Sequence, residues 1–173
     1  MNNAKLIQTP VHLDHRGYFA ESWNNSWDLG LDLQVRQTNV CWTEKQFTVR
    51  GLHSQHGTAQ VAKLVRVIRG AILDVFVDAR RDSPDYGRWE AVMLDRLDQA
   101  MYVPQGYYHG YVTLTDDVLV TYHQDAVFDG TQECGLNFAE NSTIWREHGL
   151  DPDRFIVSEK DLHQPSWLDC HKF

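Results

Sequence analysis

The sequence predicts an all-β sandwich or barrel, and three observations carry that prediction. Between about residues 60 and 125, short runs rich in β-branched residues recur about every ten residues. Gly, Pro and Asp punctuate these runs, most densely in residues 82–87, DSPDYG. Helical signals are few along the whole chain. Short strands at regular spacing with turn residues between them are typical of sandwiches and barrels.

The strands of this central region follow from the runs taken in order. The first run, AKLVRVIR, ends at Gly70, and the second, AILDVFVD, ends before the DSPDYG turn. Pro104-Gln105-Gly106 and Thr115-Asp116-Asp117 separate the last runs from their neighbours. The predicted strands are residues 62–69, 71–78, 89–94, 99–103, 109–114 and 118–122.

The remaining segments give weaker signals. Residues 20–30 and 142–148 are ambiguous, with some helical character. Residues 151–173 contain Pro152, Pro165 and many charges, so we expect them to wrap the surface rather than to build the barrel. No internal repeat, low-complexity tract or linker composition interrupts the chain, which predicts one domain over residues 1–173.

The composition excludes several classes of protein. A formal net charge of −8 argues against nucleic acid or an anionic membrane surface as a partner, although a few arginines in a cleft can still bind a small anion. No stretch approaches the roughly 18 apolar residues of a membrane helix, and residues 1–5 lead into no signal peptide, so we expect a cytoplasmic protein. The three widely spaced cysteines predict neither a disulfide framework nor a structural zinc site.

Four stretches place polar groups inside or beside strand-like runs, and they are candidate site segments. In a closed barrel, alternate residues of a strand point into the lumen, where such groups would converge. Each polar residue taken alone is more easily explained as a surface or core residue. Together, two His, a Lys and a Tyr form a set of acid–base groups with a charge stabiliser. The stretches are DHRGYFAE (14–21), RGLHSQ (50–55), KLVR (63–66) and PQGYYHG (104–110).

These stretches, with DVFVDAR (74–80), Ser83-Pro84, Tyr86-Gly87 and SEKD (158–161), resemble the dTDP-4-dehydrorhamnose 3,5-epimerases. The likeness runs in order over residues 8–161, and RGLHSQ followed by Ala59-Gln60 and KLVR is its most specific part. The resemblance implies a cupin-type jelly-roll β-barrel with a few short helices. It also implies a homodimer that needs no cofactor or metal ion.

The resemblance further implies a nucleotide-diphosphate sugar with a ketone at C4 as the substrate. Loss of a proton from C3 or C5 gives an enolate, which calls for a base and for a cation at the oxyanion. By similarity, His53 is the base and Asp161 accepts a hydrogen bond from its other ring nitrogen. Lys63 is then the group that stabilises the enolate, and Tyr122 is the acid on the opposite face.

Positions that bind the substrate are also implied by the resemblance. Arg16 and Arg50 match diphosphate-binding positions, where a guanidinium grips phosphate oxygens bidentately, and Lys160 is a further candidate. Phe128 lies where relatives carry an aromatic residue that stacks on the nucleotide base. The other matching positions are Glu21, Gln37, Asn39, His109 and Glu133.

Three alternative functions stay open at this point. The nearest is an epimerase that acts at C3 only or C5 only, on a sugar linked to dTDP, CDP or GDP, because the same residues would serve. A metal-dependent cupin would need His53, His56 and His109 as ligands, but residues three apart in a strand face opposite sides. A non-catalytic sugar-binding cupin would have no use for the acid–base set.

Overall fold

The computed structural model describes residues 3–27, 30–31 and 33–173, and β-strands dominate these parts of the chain. The strands are β1 (Lys5–Gln8), β2 (Val11–Asp14), β3 (Gly17–Ala20), β4 (Gln37–Thr43), β5 (Val49–Gln55), β6 (Lys63–Arg69), β7 (Ile72–Asp78), β8 (Trp89–Leu94), β9 (Gln99–Val103), β10 (Tyr107–Thr113), β11 (Val118–Gln124) and β12 (Glu133–Gly135).

Helices are short and lie mostly in the C-terminal segment. The described residues form two α-helices, α1 (Ser142–Glu147) and α2 (Glu159–Leu162), and 3₁₀ turns at Gly57–Ala59, Phe138–Asn141 and Pro152–Arg154. No helix formed by these residues has the length and hydropathy to cross a membrane.

Two five-stranded antiparallel sheets and one hairpin account for the strands. The first sheet has the order β1-β9-β6-β11-β4, and the second has the order β12-β5-β10-β7-β8. The hairpin consists of β2 and β3 alone. The two large sheets face each other, which confirms the predicted all-β, cupin-type jelly-roll β-barrel with a few short helices.

The six central strands predicted from the sequence are all present, with shifts at their ends. Strand β10 begins at Tyr107 rather than at residue 109, and β11 continues to Gln124. The segment 142–148 contains α1, whereas the described part of residues 20–30 contains no helix.

The hydrophobic core forms layers on both sides of the second sheet. Successive side chains of a strand point to opposite faces. In β7, Phe76 therefore faces the first sheet, whereas Val75 and Val77 lie on the outer face of the second sheet. The outward residues pack under α1 and the C-terminal segment, which therefore wraps the sheet as predicted. The layer between the sheets includes Val65, Val67, Ile72, Phe76, Leu94, Met101, Val103, Val118 and Val120.

The pairing of β5 with β10 is interrupted by a β-bulge. His53 pairs with His109 and Arg50 pairs with Tyr111, so two residues of β5 lie opposite Gly110 alone. The backbones approach closely there: a Cβ on Gly51 would lie 2.7 Å from the Cα of Gly110. The extra residue changes the alternation of β5, so that Arg50 and His53 face the same side although they are three residues apart.

Trp145 anchors the C-terminal segment to the sheet, and its replacement by Ala is expected to destabilise the fold. Its side chain is fully buried, its indole N–H donates to the carbonyl of Phe138 at 3.0 Å, and its ring meets Phe155 edge-on. We expect Trp145→Ala to lower the free energy of unfolding by about 3–5 kcal/mol, measured by urea denaturation. The exposed Leu168→Ala should change it by less than about 0.5 kcal/mol; equal losses would contradict this assignment.

Candidate active site

A cavity with two adjoining lobes opens between the sheets. The lobes have volumes of about 260 and 280 Å³, and His53, Lys63 and Tyr122 line both of them. Pockets of a few hundred Å³ with converging polar groups are typical sites for small ligands. The three residues come from β5, β6 and β11, so both sheets contribute to the junction of the lobes.

His53 is held by a carboxylate from the C-terminal segment. Its Nε2 lies 2.6 Å from Oδ1 of Asp161, and Oδ2 of Asp161 accepts a hydrogen bond from the Gly51 amide at 3.4 Å. Asp161 is buried in α2, whose first turn is capped by the hydroxyl of Ser158. The SEKD segment therefore places its carboxylate directly behind the imidazole.

The charge state of Asp161 determines which nitrogen of His53 is free. Burial acts to raise the pKa of Asp161, but the hydrogen bond from His53 and the nearby backbone amide hold it below its ordinary value. An ionised carboxylate only accepts hydrogen bonds, so Nε2 of His53 carries the proton. Nδ1 is then left with a lone pair, 4.0 Å from Oε1 of Glu133. A neutral His53 in this state is a base.

Lys63 begins β6 with its ammonium group beside the histidine. Its Nζ donates to the carbonyl oxygen of His53 at 3.4 Å. Burial lowers the pKa of Lys63 to about 8, while the carboxylates of Asp74 and Glu133 act to raise it. Lys63 is therefore still protonated at neutral pH, and it supplies a cation with little water around it.

Tyr122 reaches the cavity from the opposite sheet. Its hydroxyl has no hydrogen-bond partner among the described residues. Burial and the nearby Cys41 raise its pKa, and the charge of Arg50 opposes them. The phenol therefore keeps its proton at neutral pH and can donate it into the cavity.

Arg50 and His109 line the 260 Å³ lobe, which we call the first lobe, together with the three residues at the junction. Arg50 donates from Nε to the hydroxyl of Thr43 at 2.9 Å and from Nη2 to the carbonyl of Trp42 at 3.3 Å. Nε2 of His109 lies 2.8 Å from Oδ1 of the buried Asp74. The bulge in β5 brings Arg50 to the same cavity as His53.

The second lobe carries amide groups and an exposed aromatic ring. Gln37 accepts a hydrogen bond from the backbone amide of Phe128 at 2.8 Å and donates to Asn39 at 2.9 Å. The ring of Phe128 is exposed beside them. Lys160 contacts both carboxylate oxygens of Glu133 at 2.7 Å, an ion pair that links the two lobes.

Two of the predicted site residues lie elsewhere in the chain. Arg16 is exposed at the β2–β3 hairpin and pairs with Asp14. Glu21 accepts hydrogen bonds from Asn24 and Trp27. Neither of them lines the cavity, so a single chain does not bring these residues to the site. The predicted residues that do line it are Gln37, Asn39, Arg50, His53, Lys63, His109, Tyr122, Phe128, Glu133, Lys160 and Asp161.

The sequence interpretation did not single out several groups of the site. Cys41, Tyr111 and Gln124 line the cavity, and Asp74 supports it from beneath His109. Only Asp74 gave a signal, as a carboxylate in the middle of the apolar run AILDVFVD. The others are ordinary strand residues, whose position becomes meaningful only when the strands are paired.

The proposed metal ligands do not come together. His56 follows the end of β5 and packs its ring against His171, with centroids 5.0 Å apart. In the described parts of the chain, no group of three or more His, Cys, Asp or Glu side chains is placed to hold a metal ion. Nε2 of His53 binds Asp161, and Nε2 of His109 binds Asp74.

Comparison with known proteins gives one consistent family. The family model described as dTDP-4-dehydrorhamnose 3,5-epimerase matches residues 1–169. A protein of that name from Methanothermobacter thermautotrophicus is 35% identical over 165 residues, covering 93% of this chain and 88% of its own.

Solved structures agree with the sequence relatives. The dTDP-4-dehydrorhamnose 3,5-epimerase of Bacillus anthracis, with TDP and pyrophosphate bound, has a TM-score of 0.86 at 32% identity, covering 94% of this chain and 93% of its own. ChmJ of Streptomyces bikiniensis, a 3'-monoepimerase in complex with dTDP-quinovose, has a TM-score of 0.79 at 30% identity, covering 95% and 83%.

The ionisation of Lys63 can be measured without any substrate. We expect the ¹³Cε signal of Lys63 to titrate with a pKa of about 8, because burial disfavours the ammonium form. The signal is assigned by its loss in Lys63→Met. Lys45 is the control, because its hydrogen bond to Glu44 raises its pKa above the ordinary value. Titration of Lys63 together with Lys45 would show that Lys63 is not desolvated.

Proposed function

The chain belongs to the dTDP-4-dehydrorhamnose 3,5-epimerase family and is an isomerase, and we propose that it acts on a dTDP-linked 4-keto-6-deoxyhexose. The reaction inverts C3, C5 or both, by removal of the proton next to the ketone and return of a proton from the opposite face. We propose that residues 1–173 form one epimerase domain, and the cytoplasm stays its predicted location.

One observation carries the proposed chemistry. The buried carboxylate of Asp161 binds Nε2 of His53, and the other ring nitrogen is left unprotonated in a cavity that also holds a cation and a phenol. A base, an oxyanion stabiliser and an acid are the three groups that this epimerisation needs. The geometry therefore supports proton transfer more strongly than simple sugar binding.

Proton removal is assigned to His53 and Lys63. Nδ1 of His53 takes the proton from C3 or C5, and Asp161 stabilises the imidazolium that forms. The negative charge then moves to the oxygen at C4. Lys63 meets this charge with an ammonium group that is already in place and poorly solvated, where electrostatic stabilisation is most effective.

Return of the proton is assigned to Tyr122. It stands on the first sheet, whereas His53 stands on the second, so the two groups approach the cavity from different sides. A raised pKa keeps the phenol protonated until the enolate forms. Inversion follows when the new C–H bond forms on the face away from His53.

Substrate binding is assigned to the remaining residues of the cavity. Arg50 and Lys160 supply positive charge for the diphosphate. Phe128 offers a ring on which the nucleotide base can stack, with the amides of Gln37 and Asn39 beside it. His109 and Glu133 complete the lining.

We propose that the enzyme is a homodimer and that Arg16 and Glu21 serve the site of the other copy. The hairpin that carries Arg16 also exposes Leu13, Tyr18 and Phe19, which are costly to leave in water as a group. Sedimentation of the purified protein tests the dimer. A monomer with full activity would remove Arg16 and Glu21 from substrate binding.

Deuterium exchange is the direct test of the proposed activity. With dTDP-4-keto-6-deoxyglucose in deuterated water, NMR should show deuterium at C3 and C5. Exchange at one position only would support a monoepimerase like ChmJ, which the structural similarity keeps as the second candidate. Absence of exchange would contradict the proposed function for this substrate.

His53→Asn is expected to stop this exchange. Loss of the base should slow it by at least about 100-fold, because general bases contribute about 10²–10⁴-fold. Binding of dTDP, measured by calorimetry, should change little. His56→Asn is the matched control, since His56 lies beyond the strand and packs on His171. Exchange at the wild-type rate in His53→Asn would remove His53 from its role.

Tyr122→Phe should separate exchange from inversion. Without the phenol, His53 can still remove a proton and return deuterium to the same face. We therefore expect deuterium in recovered substrate while formation of the inverted sugar falls by at least about 100-fold. Tyr86→Phe, at an exposed tyrosine outside the cavity, is the control. An unchanged rate of inversion in Tyr122→Phe would show that another group is the acid.

A further inference from the structure

A second histidine–carboxylate pair lies beside the first. His53 and His109 are directly paired across β5 and β10, and each ring binds a buried carboxylate through Nε2. The carboxylate behind His109 is Asp74, in the centre of β7. It is fully buried, and Tyr111, which lines the cavity, is its partner across the strands.

Asp74 is bound by fewer groups than a buried carboxylate requires. Oδ1 lies 2.8 Å from His109, whereas Oδ2 has no hydrogen-bond partner among the described residues. A buried charge is costly unless hydrogen bonds or an opposite charge offset it. Two cationic groups are available, the His109 imidazole when it is protonated and the ammonium of Lys63, whose pKa the charge of Asp74 raises.

Asp78 shows that this arrangement is not a general feature of the strand. It is also a buried carboxylate of β7, but Arg80 and Ser83, which do not line the cavity, bind both of its oxygens. Asp78 therefore has a complete structural role within its own turn. The side-chain hydrogen bond of Asp74 is to His109, a residue that lines the cavity.

We propose that Asp74 is a positioning residue of the reaction: it fixes His109 with Nε2 bound and Nδ1 available to the sugar, and it holds positive charge at Lys63. The proposal rests on the proposed epimerase function. Nδ1 of His109 has no partner among the described residues, and the ring lines the lobe that contains Lys63. Asp74 thus acts on the enolate oxygen through two other side chains.

Lys63 is faced by charged or titratable groups from several elements, and each of them enters its pH dependence. Asp74 and Glu133 favour its protonated form, as does Cys134, while burial disfavours it. An opposite charge at close range shifts a pKa by about 1–3 units. Loss of the charge of Asp74 should therefore lower the pKa of Lys63. The groups facing it are His53 on β5, Asp74 on β7, His109 on β10, Tyr122 on β11, and Glu133 and Cys134 on β12.

Asp74→Asn tests the proposal, because the amide keeps the shape and an acceptor for Nε2–H but loses the charge. We expect kcat to fall by at least about 10-fold with KM changed less than about 3-fold, because the lost interaction acts mainly in the transition state. In the pH profile of kcat/KM, the loss of activity at alkaline pH reports deprotonation of Lys63, and it should begin about one pH unit lower in this variant. Asp78→Asn, the matched control, should lower stability without moving this loss of activity. A wild-type pH profile in Asp74→Asn would overturn the proposal.

A measurement on the wild-type protein covers the case in which Asp74→Asn does not fold. Long-range ¹H–¹⁵N spectra, with the His109 signals assigned by their loss in His109→Gln, report which ring nitrogen carries the proton. We expect the neutral ring of His109 to carry its proton on Nε2, the nitrogen that faces Asp74. A His109 protonated only at Nδ1 would overturn the proposal. A wild-type protein without deuterium exchange would instead contradict the proposed function, and the spectra would still decide the state of His109.

Discussion

The site depends on the close approach of two backbones at the bulge between β5 and β10. Regular alternation would send Arg50 and His53 to opposite faces of the sheet. The extra residue opposite Gly110 turns both toward the cavity. Gly51 has a positive φ of 119°, and a side chain at Gly110 would meet the carbonyl of Arg50 at 2.5 Å. Gly51 and Gly110 are therefore required at these positions, because any side chain there would prevent the two strands from pairing at this register.

Asp161 connects this bulge to the base. One oxygen binds Nε2 of His53 and the other accepts from the Gly51 amide, so a single carboxylate holds both the ring and the irregular backbone behind it. The carboxylate comes from the C-terminal segment, whose core anchor is Trp145. The tautomer of His53 is thus set by residues more than a hundred positions away. The carboxylate can therefore hold the ring only when the C-terminal segment is packed on the sheet.

The sequence was informative where local patterns decide the structure and weaker where tertiary pairing decides it. Turn residues marked the six central strands, because each turn is specified by its own residues. The period-two rule placed His53 and His56 on opposite faces of one strand, whereas His56 lies beyond the end of β5. The rule also gave no hint that the bulge brings Arg50 and His53 to the same side. The convergence of His53, Lys63, Tyr122 and Asp161 came from a family resemblance rather than from spacing. Arg16 and Glu21 lie outside the cavity of a single chain, so their part in substrate binding stays a prediction.

Three carboxylates of the site lie beside basic side chains before any substrate arrives. Glu133 pairs with Lys160, Asp161 with His53, and Asp74 lies behind His109 with Lys63 nearby. A diphosphate that enters adds negative charge and competes with Glu133 for Lys160, since both are acceptors for the same ammonium. In the proposed reaction, substrate binding therefore replaces one acceptor of the Lys160 ammonium with another.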